Sequence, residues 1–173
     1  MIYFFLIILV VIFDQSSKFL IKSNLYLYQS IDVLSSFLRF TFIENSGIAF
    51  GIDTSKYHLF ITCLTIITIA LLFYYLKNIK RENSYEKIPL SLVLGGAIGN
   101  AIDRVFVLIP GSGYSGVIDF IDMPNLLYFI GIMDNPRWFI FNIADCSITI
   151  GLVLYFILQY LNDKKNEKSE RIS

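Results

Sequence analysis

Four stretches of this 173-residue chain, at positions 2–21, 57–76, 88–109 and 138–161, are long and apolar enough to cross a hydrocarbon layer, which takes about 20 helical residues. A backbone in lipid has no water to bond, so each such stretch must be a helix whose amide groups satisfy one another. The expected fold class is an all-α membrane protein with four transmembrane helices. The second stretch is the cleanest, with no formal charge between Tyr57 and Leu76. With 55% hydrophobic residues against 16% charged ones, disorder, a secreted disulfide scaffold and a water-soluble enzyme are all excluded. Fourteen Lys and Arg balance fourteen Asp and Glu, which leaves no basic face for a nucleic-acid partner.

Cytoplasmic loops retain Lys and Arg, and this sets the expected orientation. Lys77, Lys80, Arg81 and Lys87 crowd the link between the second and third spans, and Lys164, Lys165, Lys168 and Arg171 crowd the tail. Those sides are expected in the cytoplasm together with both termini. The links 22–56 and 110–137 are poorer in positive charge and belong outside. Residues 1–13 lack a basic leader and a small-residue cleavage signature, so they read as an uncleaved first helix rather than a signal peptide. Within the outer segment 27–51, the run Phe37-Leu38-Arg39-Phe40-Thr41-Phe42-Ile43 is aromatic and β-branched. It predicts short strands lying on the membrane surface. The charged tail 162–173 is expected to fray. The whole reads as a single domain over 1–173.

Ionisable residues within a span are costly, and each is a functional candidate. At 1.5 Å per residue, Asp14 lies roughly 18 Å from the inner edge of span one and Asp103 roughly 22 Å from that of span three, while Asp145 lies about 10 Å below the outer edge of span four. Three carboxylates on three helices thus share one depth, toward the outer side, and Asp119 follows just above in the outer link. Asp14 has Lys18 four residues on, the spacing of a structural helical ion pair. Asp103 is flanked by Arg104 and, one turn earlier, Asn100, which suits a structural hydrogen-bond knot. Asp145 and Asp119 have no cation at helical offsets. A buried carboxylate of that kind holds its proton, and two brought together share one, so that one serves as acid and the other as base. The same two acids could instead be structural hydrogen-bond partners.

Asn-x-x-Asp recurs as Asn100 with Asp103 and as Asn142 with Asp145, predicting an amide and an acid on one face of spans three and four. Gly95 and Gly99 form a small-residue pair that lets another backbone approach span three. His58, the only histidine, reads as an interfacial residue at the rim of span two, and Cys63 and Cys146 as packed thiols. No Ser-His or Cys-His nucleophile set is legible, and with one histidine neither a metal nor any other cofactor is expected.

Five blocks then carry a resemblance: Asp14-Gln15-Ser16-Ser17-Lys18, Asn45-Ser46-Gly47-Ile48-Ala49-Phe50, the run 95–104 (GGAIGNAIDR), Gly116-Val117-Ile118-Asp119-Phe120, and Phe141-Asn142-Ile143-Ala144-Asp145. In this order, on four spans, they resemble the lipoprotein signal peptidases, the type II signal peptidases of bacteria. The resemblance implies a multi-pass inner-membrane aspartyl endopeptidase with a small β-cradle on the periplasmic side. Such an enzyme cuts a prolipoprotein just before a cysteine that already carries diacylglycerol. It also implies that Asp119 and Asp145 are the catalytic pair, and that Asp14, Lys18, Asn45, Gly47, Asn100, Asp103, Arg104 and Asn142 bind substrate or support the site. The partners implied are the lipidated prolipoprotein, membrane lipid and inhibitors of the globomycin type, acting on a monomer. Two outer stretches, 105–115 and 121–136, look longer than the family's usual links. The rival readings are a proton- or cation-coupled transporter, which would need acids continuing toward the inner side, and a non-catalytic assembly factor held by polar knots.

Overall fold

The structure is a computed structural model that describes residues 2–35, 37–46 and 55–170. Helix α1 (Ile2–Asn24) leads into strands β1 (Ser30–Leu34) and β2 (Leu38–Asn45). A short 3-10 turn, Ser55–Tyr57, opens helix α2 (His58–Asn78), and a second, Arg81–Glu86, opens α3 (Lys87–Val107). Strand β3 (Val117–Asp122), the one-turn helix α4 (Leu126–Phe129) and helix α5 (Ile143–Glu170) complete the chain. Helices α1, α2, α3 and α5 are each long and apolar enough to cross a membrane.

Helix α3 is the axis of the bundle: half of its apolar stretch is buried, against 11% of that of α2, which presents nearly all its surface outward. Small residues make this possible. A Cβ on Gly95 would lie 2.8 Å from Val10 Cβ on α1, and one on Gly96 would lie 2.4 Å from the Ala144 carbonyl oxygen on α5. The predicted close approach at Gly95 is therefore present, and a second one, at Gly96, brings in α5. Ile7, Leu76, Leu90 and Leu94 form the apolar centre between helices.

The three strands form one antiparallel sheet in the order β1-β2-β3. Ile21 at the end of α1 packs with Phe42, Ile118 and Phe120 beneath it. The expected surface strands fall within 27–51 as β1 and β2, while residues 47–51 of that segment lie outside the described residues. The third strand was not expected. Val117-Ile118-Asp119-Phe120-Ile121-Asp122 is too short to stand out beside 20-residue spans, and it becomes a strand by pairing with β2.

Two boundaries differ from the sequence reading by more than three residues. The fourth helix begins at Ile143 rather than at residue 138, because Phe141 is held in an isolated bridge by Ile121, with backbone bonds of 2.7 and 3.1 Å. The tail expected to fray continues α5 to Glu170. Gln159 reaches Asp163 one turn on at 3.5 Å and the Lys164 ammonium sits 4.8 Å above the Tyr160 ring, local contacts that support an exposed helix.

The second of the long outer stretches, 121–136, is ordered by side chains. Arg137 donates to the Asp122 carboxylate at 2.7 Å and to the Asp122 carbonyl at 2.8 Å. The buried Asn125 amide donates to the Asn135 carbonyl at 2.9 Å, and its oxygen accepts from Leu127 N at 3.0 Å.

Candidate active site

The start of α5 builds one half of the site. A helix begins with N–H groups that have no partner in the preceding turn, and here three of them have a specific side-chain acceptor. Asn142 stands before the first helical residue: its side-chain oxygen accepts from Asp145 N at 2.9 Å, and its carbonyl accepts from Cys146 N at 3.2 Å. The Asp145 carboxylate reaches back to Asn142 N at 3.2 Å, closing a reciprocal capping box. Ala144 N donates to Asp14 on α1 at 2.9 Å, a cap supplied by another helix. Asn142-x-x-Asp145 is thus a helix start, not the helix face that the spacing alone predicts. The box holds Asp145, half-buried, where the helix end carries partial positive charge.

Strand β3 builds the other half. Asp119 is buried, and its two carboxylate oxygens accept from Asn142 Nδ2 at 2.6 Å and from Asn45 Nδ2 at 3.0 Å. Asn45 is the last residue of β2 and pairs with Val117. It comes this close because residue 116 is glycine: a Cβ there would lie 2.4 Å from the Asn45 carbonyl carbon.

Asn100, from the middle of α3, joins the halves. Its Nδ2 donates to Asp145 at 2.8 Å, and its oxygen accepts from Asn142 Nδ2 at 3.0 Å and from Lys18 Nζ at 3.0 Å. An ammonium can only donate, so the orientation of this amide is fixed. The backbone N–H of Asp145 fixes that of Asn142 in the same way. A line of directed bonds therefore runs from Asp119 through Asn142 and Asn100 to Asp145.

Lys18 is the hub beneath. It is 1% exposed, and its three protons have three acceptors: Asn100, Asp14 at 2.9 Å and Asp103 at 2.9 Å. Asp103 also accepts from Ile118 N at 3.1 Å, which ties β3 to α3 one residue before Asp119. Gln15 donates to Asp14 at 3.1 Å, to Asp103 at 3.2 Å and to the Gly99 carbonyl at 3.0 Å. Glycine at 99 is required here, because a Cβ would lie 2.5 Å from the Asp14 carboxylate. Among the described residues, every buried side-chain nitrogen and oxygen has a hydrogen-bond partner.

The expected Asp14–Lys18 pair is present, whereas the knot of Asp103 with Arg104 is replaced. Adjacent helical residues point in different directions, so Asp103 turns to Lys18 while Arg104 lines a cavity of about 960 Å³ shared with Asn45, Asn100, Asp119 and Asp145. The two acids that have no cation at helical spacing therefore acquire one across the fold. His58, read as a rim residue, lines a water-sized pocket beside Asn45 and Arg104. Gly47 lies outside the described residues. Gln15, within the first quoted block, and Glu44, beside Asn45, are polar partners that helical spacing does not single out.

Burial, and then the charge of Asp145, push the Asp119 carboxyl up to about 7, against the pull of hydrogen bonds from Asn45 and Asn142 and the charge of Lys18. One carboxyl that keeps its proton near neutrality thus faces, across a single cavity, a second one set at a helix start. Such a pair can activate water with one member and polarise a carbonyl with the other.

Residues 6–161 match the family model of signal peptidase (SPase) II. A lipoprotein signal peptidase of Fusobacterium nucleatum subsp. nucleatum is 38% identical over 170 residues, 97% of this chain and 92% of that protein. One from Staphylococcus aureus strain MRSA252 is 37% identical, over 95% of this chain and 91% of that one. A solved structure of a bacterial membrane enzyme, at 2.3 Å resolution, superposes with a TM-score of 0.75 at 36% identity, covering 95% of this chain and 90% of the other. A second one, at 1.9 Å, gives 0.71 at 34% identity, covering 91% of each. With four membrane-length helices, a three-stranded sheet and a paired-acid site, this chain is a multi-pass bacterial membrane protein that belongs to the signal peptidase II family.

Proposed function

We propose that Asp119 and Asp145 are the catalytic pair of this lipoprotein signal peptidase, a membrane aspartyl peptidase that processes prolipoproteins. The observation that carries the assignment is the directed line of amide bonds linking the two carboxylates on the wall of one cavity. Asp145 serves as the base and takes a proton from the attacking water. Asp119 is the protonated member and donates a hydrogen bond to the scissile carbonyl, whose oxygen becomes the hydroxyl of a tetrahedral intermediate. Collapse of that intermediate breaks the C–N bond and returns one hydroxyl proton to Asp119, while the leaving amine takes the proton that Asp145 had accepted. Arg104, on the same wall, supplies positive charge as the carbonyl oxygen gains electron density. Asp14, Lys18, Asn45, Asn100, Asp103 and Asn142 hold the pair in place, acting through the bonds described above.

The substrate in this reading is a prolipoprotein whose cysteine already carries diacylglycerol, cut just before that residue. It enters from the bilayer, with its acyl chains in lipid. The sheet and the site lie on the periplasmic side, with both termini in the cytoplasm. The concentration of Lys and Arg at 77–87 and 164–171 supports this orientation. Transport would need acids continuing toward the other end of the bundle. Among the described residues, the next buried acid back from Asp103 is Glu86, just before α3 begins and about 25 Å away, where it accepts from the Tyr75 hydroxyl at 2.7 Å as a tie between elements.

The test is cleavage of a purified, lipidated prolipoprotein followed by its size shift. Wild type cuts and globomycin blocks it. Asp119→Asn and Asp145→Asn each lose about a thousandfold or more while remaining inserted in the membrane. Wild-type turnover by either variant would remove the dyad.

A further inference from the structure

Beside the site, and outside every role assigned so far, lies a second polar cluster. Glu44, with 8% of its side chain exposed, forms an ion pair with Lys22 from the end of α1. Its other oxygen accepts from Ser115 N at 2.8 Å and from Ser115 Oγ at 2.5 Å. Lys22 also donates to the Gly113 carbonyl at 2.6 Å, and its ammonium sits 4.0 Å from the centre of the Tyr114 ring. One carboxylate thus fastens the end of α1 and the approach to β3 onto β2.

The place of the clamp matters. Glu44 pairs with Ile118, and Asn45, the next residue, pairs with Val117 at the last rung of the β2–β3 ladder. The β2–β3 pairing ends at this rung. Holding Ser115 to Glu44 keeps Gly116 against the Asn45 backbone and so keeps the Asn45 amide against Asp119.

We propose that Glu44, through its clamp on Lys22 and Ser115, is a positioning residue for the reaction that sets the Asn45 amide on Asp119. This rests on the reading of Asp119 as one of the catalytic pair. Glu44 acts at one remove, and its effect must pass through Asn45.

Consequences follow for rate and for pH. Around Asp119 and its partner Asn45 stand Asp145 and Cys146 from α5, Lys18 from α1, Arg104 and Asp103 from α3, and, beside Asn45, His58 at the start of α2. All of these remain when Glu44 is replaced. The Glu44 charge, on the wall of the same cavity, is lost together with the Asn45 bond, and it is that bond that favours the ionised form of Asp119. Loosening it makes Asp119 hold its proton to higher pH and moves the alkaline limb of the pH profile upward.

The experiment measures kcat, KM and the pH profile of prolipoprotein cleavage for Glu44→Ala, Asn45→Ala and the double variant. The expected result is a kcat about tenfold lower for Glu44→Ala with KM within about twofold, and an alkaline limb shifted upward. The double variant is expected to match Asn45→Ala rather than multiply the two losses. If Glu44→Ala does not accumulate in the membrane, Ser115→Ala takes its place. It keeps the backbone N–H bond, and a loss of about threefold with the same upward shift is expected. A wild-type kcat with an unmoved limb, or losses that multiply in the double variant, overturns the proposal. Failure of the dyad reading looks different: Asp119→Asn then cuts as wild type does, whereas failure of this proposal alone leaves Asp119→Asn inactive and the clamp variants unchanged.

Discussion

At the residue scale, the proposed mechanism depends on keeping two carboxyl groups in different states within one cavity. Asp119 is pushed up to about 7 by burial and by the charge of Asp145, so it holds its proton below that pH and releases it above. If it is the acid, cleavage falls as pH rises past about 7, by about tenfold per pH unit once Asp119 ionises. A pH-rate profile in detergent or nanodisc that stays flat from neutrality to well above it would remove Asp119 from the acid role. Lys18 carries a different burden. Lys18→Met leaves Asp14 and Asp103 buried without their cation, a loss of about 3 kcal/mol or more, which a lower unfolding temperature of the purified protein would register. The Asp14–Lys18 pair was legible from i, i+4 spacing. The third partner, Asp103, was not, because 85 residues of chain separate it from Lys18 and no local pattern reports that contact.

Elements matter here through where they begin and end. The start of α5 is set jointly by its own Asn142 and by Asp14 of α1, and Gly99 on α3 makes room for that second cap. Gly99→Ala drives a methyl into the Asp14 carboxylate. It is expected to destabilise the protein by about 1–3 kcal/mol and to lower kcat as well, since Ala144 lies one residue from Asp145. Thermal unfolding and cleavage assays on the same preparation check both. The Glu44 clamp has its own pH signature. Burial alone would raise this carboxyl, but the bonds from Lys22 and Ser115 outweigh it and hold Glu44 below the usual range. The folded value lies below the unfolded one, so the contribution is full above pH about 4 and is lost as pH falls through the lower folded value. Acid unfolding of wild type against Glu44→Gln should converge below that range and separate above it.

For the whole molecule, the bundle and the sheet divide the work. Helix α3 binds α1, α2 and α5 together, and the sheet closes over the end where those helices present Asp14, Asn100 and Asp145. In the orientation proposed here, Ile130, at 66% exposure in the outer link, faces the periplasm, and Lys164 near the far end of α5 faces the cytoplasm. With Cys63 and Cys146 replaced by serine, Ile130→Cys should react with a membrane-impermeant thiol reagent on intact spheroplasts. Lys164→Cys should react only after permeabilisation. The opposite pattern would invert the molecule and place its site on the wrong side for an exported substrate.

The four spans, the charge asymmetry and the motif blocks are all written in local sequence, because hydropathy, loop charge and short spacings need no partner to be read. They determined the membrane class, the family resemblance and the two acids proposed as the catalytic pair. Tertiary structure decided the rest: that Asn142-x-x-Asp145 is a helix cap, that 117–122 is a strand, that Lys18 serves two carboxylates, and that Arg104 looks into the cavity rather than at Asp103. Each of these depends on a hydrogen-bonding or charged group finding its partner from a distant part of the chain. In an interior with little water, which partner it finds is a property of the packed molecule rather than of the neighbouring residues.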